Sequence, residues 1–222
     1  NVDGTRHLLE LVRSVSPATH ILVVSSSDIY GRGSAELMAE LPLDECRPQN
    51  PYAMSKWEME QMIEKNFNDM VMRVRPFPHI GPGQGPDFVT AAFASQIAAI
   101  EQGKQEAVVK VGNLDAKRDY TDVRDVVRAY RLLMEKGKLG EVYHVASGNQ
   151  TPIQGMLDKF LSLATKPIHV EQDPARMRPS DVPSMVGDAT KLSSVTGWQP
   201  EIPLGQTLQE ILDYWREKSR TS

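Results

Sequence analysis

Alternation constrains this chain of 222 residues more than any other feature. Short β-branched runs, "HILVV" at 20–24, "MVMRVRP" at 70–76, "AVVKVG" at 107–112 and "EVYHVAS" at 141–147, are separated by segments with helical periodicity. "HILVV" has no polar face, which is the pattern of a strand covered on both sides. The helical segments between runs supply crossovers, so consecutive strands can lie parallel. The fold class is therefore α/β with a mostly parallel sheet. Sheets of this kind bind ligands beyond the carboxyl ends of their strands. That places "SSSDIYG", residues 25–31, at a candidate working edge.

Helices are predicted from the first residues to about 15, and over 51–67, 86–104, 122–137, 151–165, 188–196 and 204–220. In the second, Met54, Met59, Met62 and Ile63 read as one apolar side. Gly103 reads as the stop of the third. The segment from Thr151 reads as a capping box: Thr151 caps, Pro152 opens the helix and Gln154 reaches back. "PIHVEQD" reads as a short strand, and 173–187, with its prolines, as irregular.

Composition narrows the function. A net charge of −4 with no basic run gives no general attraction to nucleic acid or anionic membrane. The single cysteine, Cys46, excludes an internal disulfide framework and suits a reducing compartment, so the expected location is cytoplasmic. The five histidines never pair at metal-ligand spacing, so no metal is expected. No apolar run approaches the ~20 residues of a membrane span.

Tyr52 and Lys56 are one helical turn apart on one face. An ammonium beside a phenol favours the phenolate, so Lys56 is expected to lower the pKa of Tyr52 from about 10 toward neutrality. Such a tyrosine can act as general acid or base. The spacing alone is weak, because Tyr214 and Lys218 share it on what reads as a solvated helix face.

Context separates the two pairs. "NVDGT", "SSSDIYG", "PYAMSK" and "RPFPHIGPGQ" occur in order, followed by "VGNLDAKRDYTDVRD", "VYHVASG", "RPSDVP" and "TGWQP". This series resembles the extended short-chain dehydrogenase/reductase family, the NAD-dependent epimerases, dehydratases and reductases of nucleotide sugars. The likeness runs nearly from end to end. It is strongest to the reductases of GDP-4-keto-6-deoxy-mannose, with the GDP-mannose 4,6-dehydratases as main competitor.

The resemblance implies a Rossmann-type parallel sheet with a smaller C-terminal α/β substrate domain. Residues 1–76 and 119–147 would belong to the dinucleotide-binding part, and 77–118 and 148–222 to the nucleotide-sugar part. It implies Tyr52 as the acid that protonates the sugar carbonyl, Lys56 as its partner and a ligand of the NAD or NADP ribose, and Ser26 as hydrogen-bond partner of the same sugar oxygen. Ser25 and Pro76 would line the cofactor. Asp28 falls where dehydratases carry an acid/base glutamate, and does not decide between the activities. His79 and Lys110 would face the substrate. Arg118 and Arg178 would hold the diphosphate of a GDP-linked sugar, with Asp181 beside the latter; pairing with Asp119, Asp122 or Asp181 is the alternative. Asp122 and Asp125 are expected to cap the next helix and to pair with its arginines. Asn1 would support the site, and a homodimer is expected through the "NVDGT" and "PYAMSK" helices.

Two departures carry expectations of their own. Pro78 stands where the family has a substrate-contacting Asn, so either His79 or water substitutes or sugar binding is weakened. No GxxGxxG turn for the dinucleotide pyrophosphate occurs, so the first strands of the cofactor half are read as missing and tight NAD(P) binding is not expected. A truncated, non-catalytic nucleotide-sugar-binding fragment is the rival class.

Overall fold

The computed structural model describes residues 1–31, 36–177 and 184–221. In chain order the strands are β1 Ile21–Val24, β2 Leu37–Met38, β3 Val71–Pro76, β4 His79–Ile80, β5 Val108–Val111, β6 Lys117–Arg118, β7 Thr121–Asp122, β8 Val142–Val145, β9 Thr151–Pro152, β10 His169–Gln172 and β11 Ser184–Gly187. The α-helices are α1 Val2–Val15, α2 Pro51–Asn66, α3 Val89–Glu101, α4 Val123–Lys136, α5 Ile153–Leu163, α6 Thr190–Thr196 and α7 Leu204–Thr221.

β1, β3 and β8 form a parallel sheet in the order β1-β3-β8, with Ile21 opposite Val71 and Arg73 opposite Val142. Every residue of β3 is buried, Arg73 and Arg75 included, because it is the central strand and helices cover both of its faces. On one side Leu9 of α1 and Met59, Met62 and Ile63 of α2 pack with Val23 and Val71. On the other, Val74 and Tyr143 pack with Val126, Ala129 and Leu133 of α4 and with Leu192 and Trp198. Met54 does not join this core and is exposed. It precedes Ile63 by nine positions, and at about 100° per residue that rotates it to the opposite side of the helix.

A second core lies around the parallel pair β5–β10. Phe93 and Ile97 of α3, Phe160 of α5, and Leu208 and Ile211 of α7 close over it. Arg216 of α7 fastens Glu101 of α3 with two N–H···O bonds of 2.8 Å. The short strands join the two bodies, in the orders β2-β11-β6-β9 and β4-β7. Thus 173–187 is not wholly irregular, since β11 pairs with both β2 and β6.

The capping box at Thr151 does not form. Thr151 and Pro152 are strand residues opposite Arg118 and Lys117. The amides of Ile153 and Gln154 donate instead to the carbonyls of Ala116 and Leu114 at 3.0 and 3.2 Å, so the helix start needs no side-chain cap. The Gln154 side chain turns outward to Asp158. Asp122 does cap α4, accepting from the Arg124 amide at 2.8 Å, and Asp125 pairs with Arg128. Among the described residues, no helix is long and apolar enough to cross a membrane, and no cluster of His, Cys, Asp and Glu could hold a metal.

Candidate active site

The segment "SSSDIYG" leaves β1 and turns once. The amide of Ser25 continues the ladder to the Val74 carbonyl at 2.8 Å. Ser26 then caps a 3-10 turn, Ser27–Tyr30, its Oγ accepting from the Asp28 amide at 3.2 Å. Gly31 ends the turn at φ 63°. A Cβ there would overlap the Arg47 carbonyl, so only glycine fits. The Arg47 amide donates back to Tyr30 O at 3.2 Å. Strand end and turn thus fix Ser25, Ser26 and Asp28 without a long loop.

α2 begins opposite them. Asn50 caps it, accepting from the Ala53 amide at 2.8 Å, and Pro51 occupies the first turn. This start sets Tyr52 beside Ser26, both facing one cleft, and the Ser26 hydroxyl acts on the phenol to lower its pKa. Asn1 donates to Ser55 Oγ at 2.8 Å, and Ser55 donates to the Tyr52 carbonyl.

Lys56 behaves differently from expectation. Its ammonium donates to the Val24 carbonyl at 2.8 Å and lies 5.9 Å from the centre of the Tyr52 ring. Burial, opposed by the Ser26 hydrogen bond and reinforced by Asp28, holds the Tyr52 pKa above its ordinary value. Burial also lowers the pKa of Lys56, with Glu60 opposing. The expected drop toward neutrality is therefore corrected: burial outweighs the other influences on the phenol, and Lys56 turns one of its donors to a strand carbonyl. The Tyr214–Lys218 pair has the same 5.9 Å separation, with the ammonium stacked over Trp215 at 4.6 Å. Spacing and pair geometry do not distinguish the two; their surroundings do.

Those surroundings are a cleft of about 970 Å³ into which Ser25, Ser26, Asp28, Tyr52, Pro76 and His79 face. Ser25 Oγ is buried there without a hydrogen-bond partner. Asp28 has exposed surface, yet the protein crowding it raises its pKa, with Arg118 opposing. The Nδ1–H of His79 donates to the Phe77 carbonyl at 3.1 Å, which fixes the ring next to Pro78.

A second hollow of about 460 Å³ shares Phe88 and Val89 with the first and is lined by Lys110 and Arg118. Gln96 brackets the Lys110 backbone, accepting from its N–H at 2.9 Å and donating to its C=O at 3.1 Å. Arg118 Nη1 donates to the Lys117 carbonyl at 2.8 Å. The carboxylates considered as its alternatives are engaged elsewhere. Asp119 accepts from Ser147, Gly148 and Gly187, and Asp122 from Arg124 and Thr207. Arg178 and Asp181 lie outside the described residues.

Two lining residues escape sequence reasoning. Arg176 faces the second hollow, paired with Asp173 at 3.5 Å. "ARMR" offers two arginines, and motif matching selects the other. Tyr130 of α4 faces the first cleft, its pKa pushed up to about 12 by burial and by Tyr52. An amphipathic pattern carries no signal for it.

The strand-end hydroxyls, the buried unpartnered Ser25 Oγ and the Tyr52–Lys56 pair suit the nicotinamide end of a dinucleotide. The sequence holds no glycine-rich turn for its pyrophosphate.

The family model of GDP-mannose 4,6 dehydratase matches residues 1–211, and the chain belongs to that family. It is 38% identical to a GDP-6-deoxy-D-mannose reductase of Pseudomonas aeruginosa over 99% of this chain and 73% of that protein. It is 30% identical to a GDP-mannose 4,6-dehydratase of Sinorhizobium fredii, over 96% of this chain and 68% of that one. The solved structure of RMD from Pseudomonas aeruginosa complexed with NADPH superposes with a TM-score of 0.90 at 35% identity, covering 98% of this chain and 73% of that one.

Proposed function

We propose that the protein reduces the 4-keto group of a GDP-4-keto-6-deoxyhexose with NADPH or NADH, Tyr52 donating the proton. The observation that carries this reading is the joining of two hollows at Phe88 and Val89. One holds Ser26 and Tyr52, the other Lys110 and Arg118. A hexose joined to a nucleotide diphosphate has that bipartite chemistry: a reacting carbonyl at one end and an anion at the other.

When bound, the nicotinamide supplies a hydride to the carbonyl carbon. The chain's own residues do the rest. Ser26 and the Tyr52 phenol face the same cleft, where an incoming carbonyl oxygen can receive a donor from each. The raised pKa keeps the Tyr52 proton in place until negative charge develops on that oxygen. Lys56 holds the end of β1 through Val24 and offers its remaining N–H donors to the ribose hydroxyls. Ser25 and Pro76 border the nicotinamide, and His79 takes the sugar side left by Pro78. Arg118, Lys110 and, by family likeness, Arg178 with Asp181 hold the diphosphate and base end.

We further infer that residues 1–76 and 119–147 serve the dinucleotide, and 77–118 and 148–222 the nucleotide sugar. The α1–α2 face, with Leu8 and Leu11 exposed, is inferred to form a homodimer. NADPH oxidation with GDP-4-keto-6-deoxy-mannose tests the reading; binding of the sugar nucleotide without oxidation at any ratio of the two rejects it.

A second reading, the dehydratase, is favoured by Asp28. A carboxyl with a raised pKa beside the sugar can protonate a departing hydroxyl. A dehydratase returns its cofactor unchanged, so net NADPH consumption separates the two.

A further inference from the structure

α2 carries Glu60 one turn beyond Lys56, and its carboxylate is wholly buried. Such a charge is costly unless paired. Arg75 of β3, also buried, meets it with two N–H···O bonds of 3.0 and 2.9 Å. The remaining arm of Arg75, Nη1, donates to the Leu41 carbonyl at 2.6 Å and to the phenol oxygen of Tyr30 at 3.0 Å.

Arginine has donors only, so the Tyr30 oxygen accepts there and directs its own O–H elsewhere. Its partner is Nε2 of His144 on β8. The relay requires a neutral imidazole with its proton on Nδ1, an atom buried without a hydrogen-bond partner. Burial first, and then the Arg75 charge, push its pKa down to about 3 against the pull of Asp188. None of these four side chains lines the cleft.

What they join is informative. Glu60 belongs to the helix of Tyr52 and Lys56, while Tyr30 closes the single turn that Ser26 opens. An apolar set of similar volume would hold the sheet as well, so stability alone does not account for the relay. We propose that Glu60, Arg75, Tyr30 and His144 are positioning residues that hold the Ser26 turn against the first turn of α2, and thereby set how Ser26 and Tyr52 face each other across the cleft. The proposal rests on the reading of Ser26 and Tyr52 as the working pair.

The test is the Tyr52 titration, followed by NMR of chains labelled at tyrosine Cζ, from about pH 9 to 12.5. Besides Ser26, the groups that face this phenol are Asp28, Lys56 and Tyr130, and none is altered. Tyr30→Phe keeps the ring and removes the relay's central oxygen. It is expected to raise the Tyr52 titration by about one pH unit, the worth of one hydrogen bond to a charged oxygen, with the far-UV spectrum unchanged. Ser26→Ala is expected to give the same shift directly. If Ser26→Ala shifts Tyr52 and folded Tyr30→Phe does not, the relay is not positioning and the proposal fails. If neither shifts it, the pair itself is misread and the proposal falls with it. Should Tyr30→Phe not fold, nitrogen NMR of His144 in the unaltered protein decides. A neutral ring protonated at Nδ1 supports the relay, and a cation at neutral pH or the opposite tautomer overturns it.

Discussion

The ammonium of Lys56 donates to the carbonyl of Val24 at 2.8 Å, fastening the helix of Tyr52 to the strand that ends in Ser25 and Ser26. Lys56 acts here as a clamp between two elements, and the phenol it neighbours keeps a raised pKa.

Tyr52→Phe removes the proton donor and leaves the packing almost untouched, because the side chain is half exposed and its ring is retained. Turnover is expected to fall by about 10²–10⁴-fold, with the melting temperature within a degree or two. NADPH oxidation and a thermal melt on the same preparation check both.

The direction of the Tyr52 shift fixes the sign of the basic limb. An acid must be protonated to act, so activity is lost as pH rises through a pKa above the ordinary ~10. The neutral range should be flat with respect to this group. A descending limb centred near pH 7 that Tyr52→Phe abolishes would contradict the assignment.

The sequence carried the architecture well and the electrostatics poorly. The runs at 20–24, 70–76, 107–112 and 141–147 became β1, β3, β5 and β8, because each is rich in β-branched residues and too short for a helix. Tyr52, Ser26 and Asp28 met as the motif order implied. The direction of the Tyr52 pKa was not legible, because burial sets it and residue order does not show how far the fold encloses the phenol. The Thr151 cap failed because a distant loop, 114–116, supplies carbonyls in its place. β11 was hidden because its residues show no alternation, and the pairing that defines it is with residues far away in sequence.

His144 predicts acid lability. Its folded pKa, about 3, lies below the unfolded value of about 6.5, so the unfolded chain binds the extra proton between these limits. Its stabilising contribution is complete above pH 6.5 and is lost as pH falls from there toward 3. Urea midpoints should drop by a few kcal/mol equivalent by about pH 4, and His144→Gln should flatten that dependence.

Gly31 is the least replaceable glycine of the site. Gly31→Ala forces a side chain into the left-handed region and onto the Arg47 carbonyl, and should cost at least ~2–3 kcal/mol. Gly4→Ala, inside exposed α1 with nothing within 4 Å of its Cβ, should stabilise by ~0.5–1 kcal/mol. Chemical denaturation of the two variants gives the contrast.

Arg118→Ala should weaken GDP-mannose binding by about tenfold or more, as the loss of one charge-assisted contact implies. Because Arg118 opposes the rise in the Asp28 pKa, the same change should move that pKa further up. Calorimetry with GDP-mannose reads the first effect. Carboxyl-labelled aspartate NMR reads the second.

The central claim is net reduction by a chain whose Ser26–Tyr52 edge faces one end of a nucleotide-sugar cleft. It is tested most directly by incubating the protein with GDP-4-keto-6-deoxy-mannose and NADPH and measuring cofactor against sugar product. The account predicts one NADPH oxidised for each sugar reduced, at a rate that Tyr52→Phe lowers by about 10²–10⁴-fold. Sugar conversion without net NADPH loss, or oxidation at an undiminished rate in Tyr52→Phe, would contradict it.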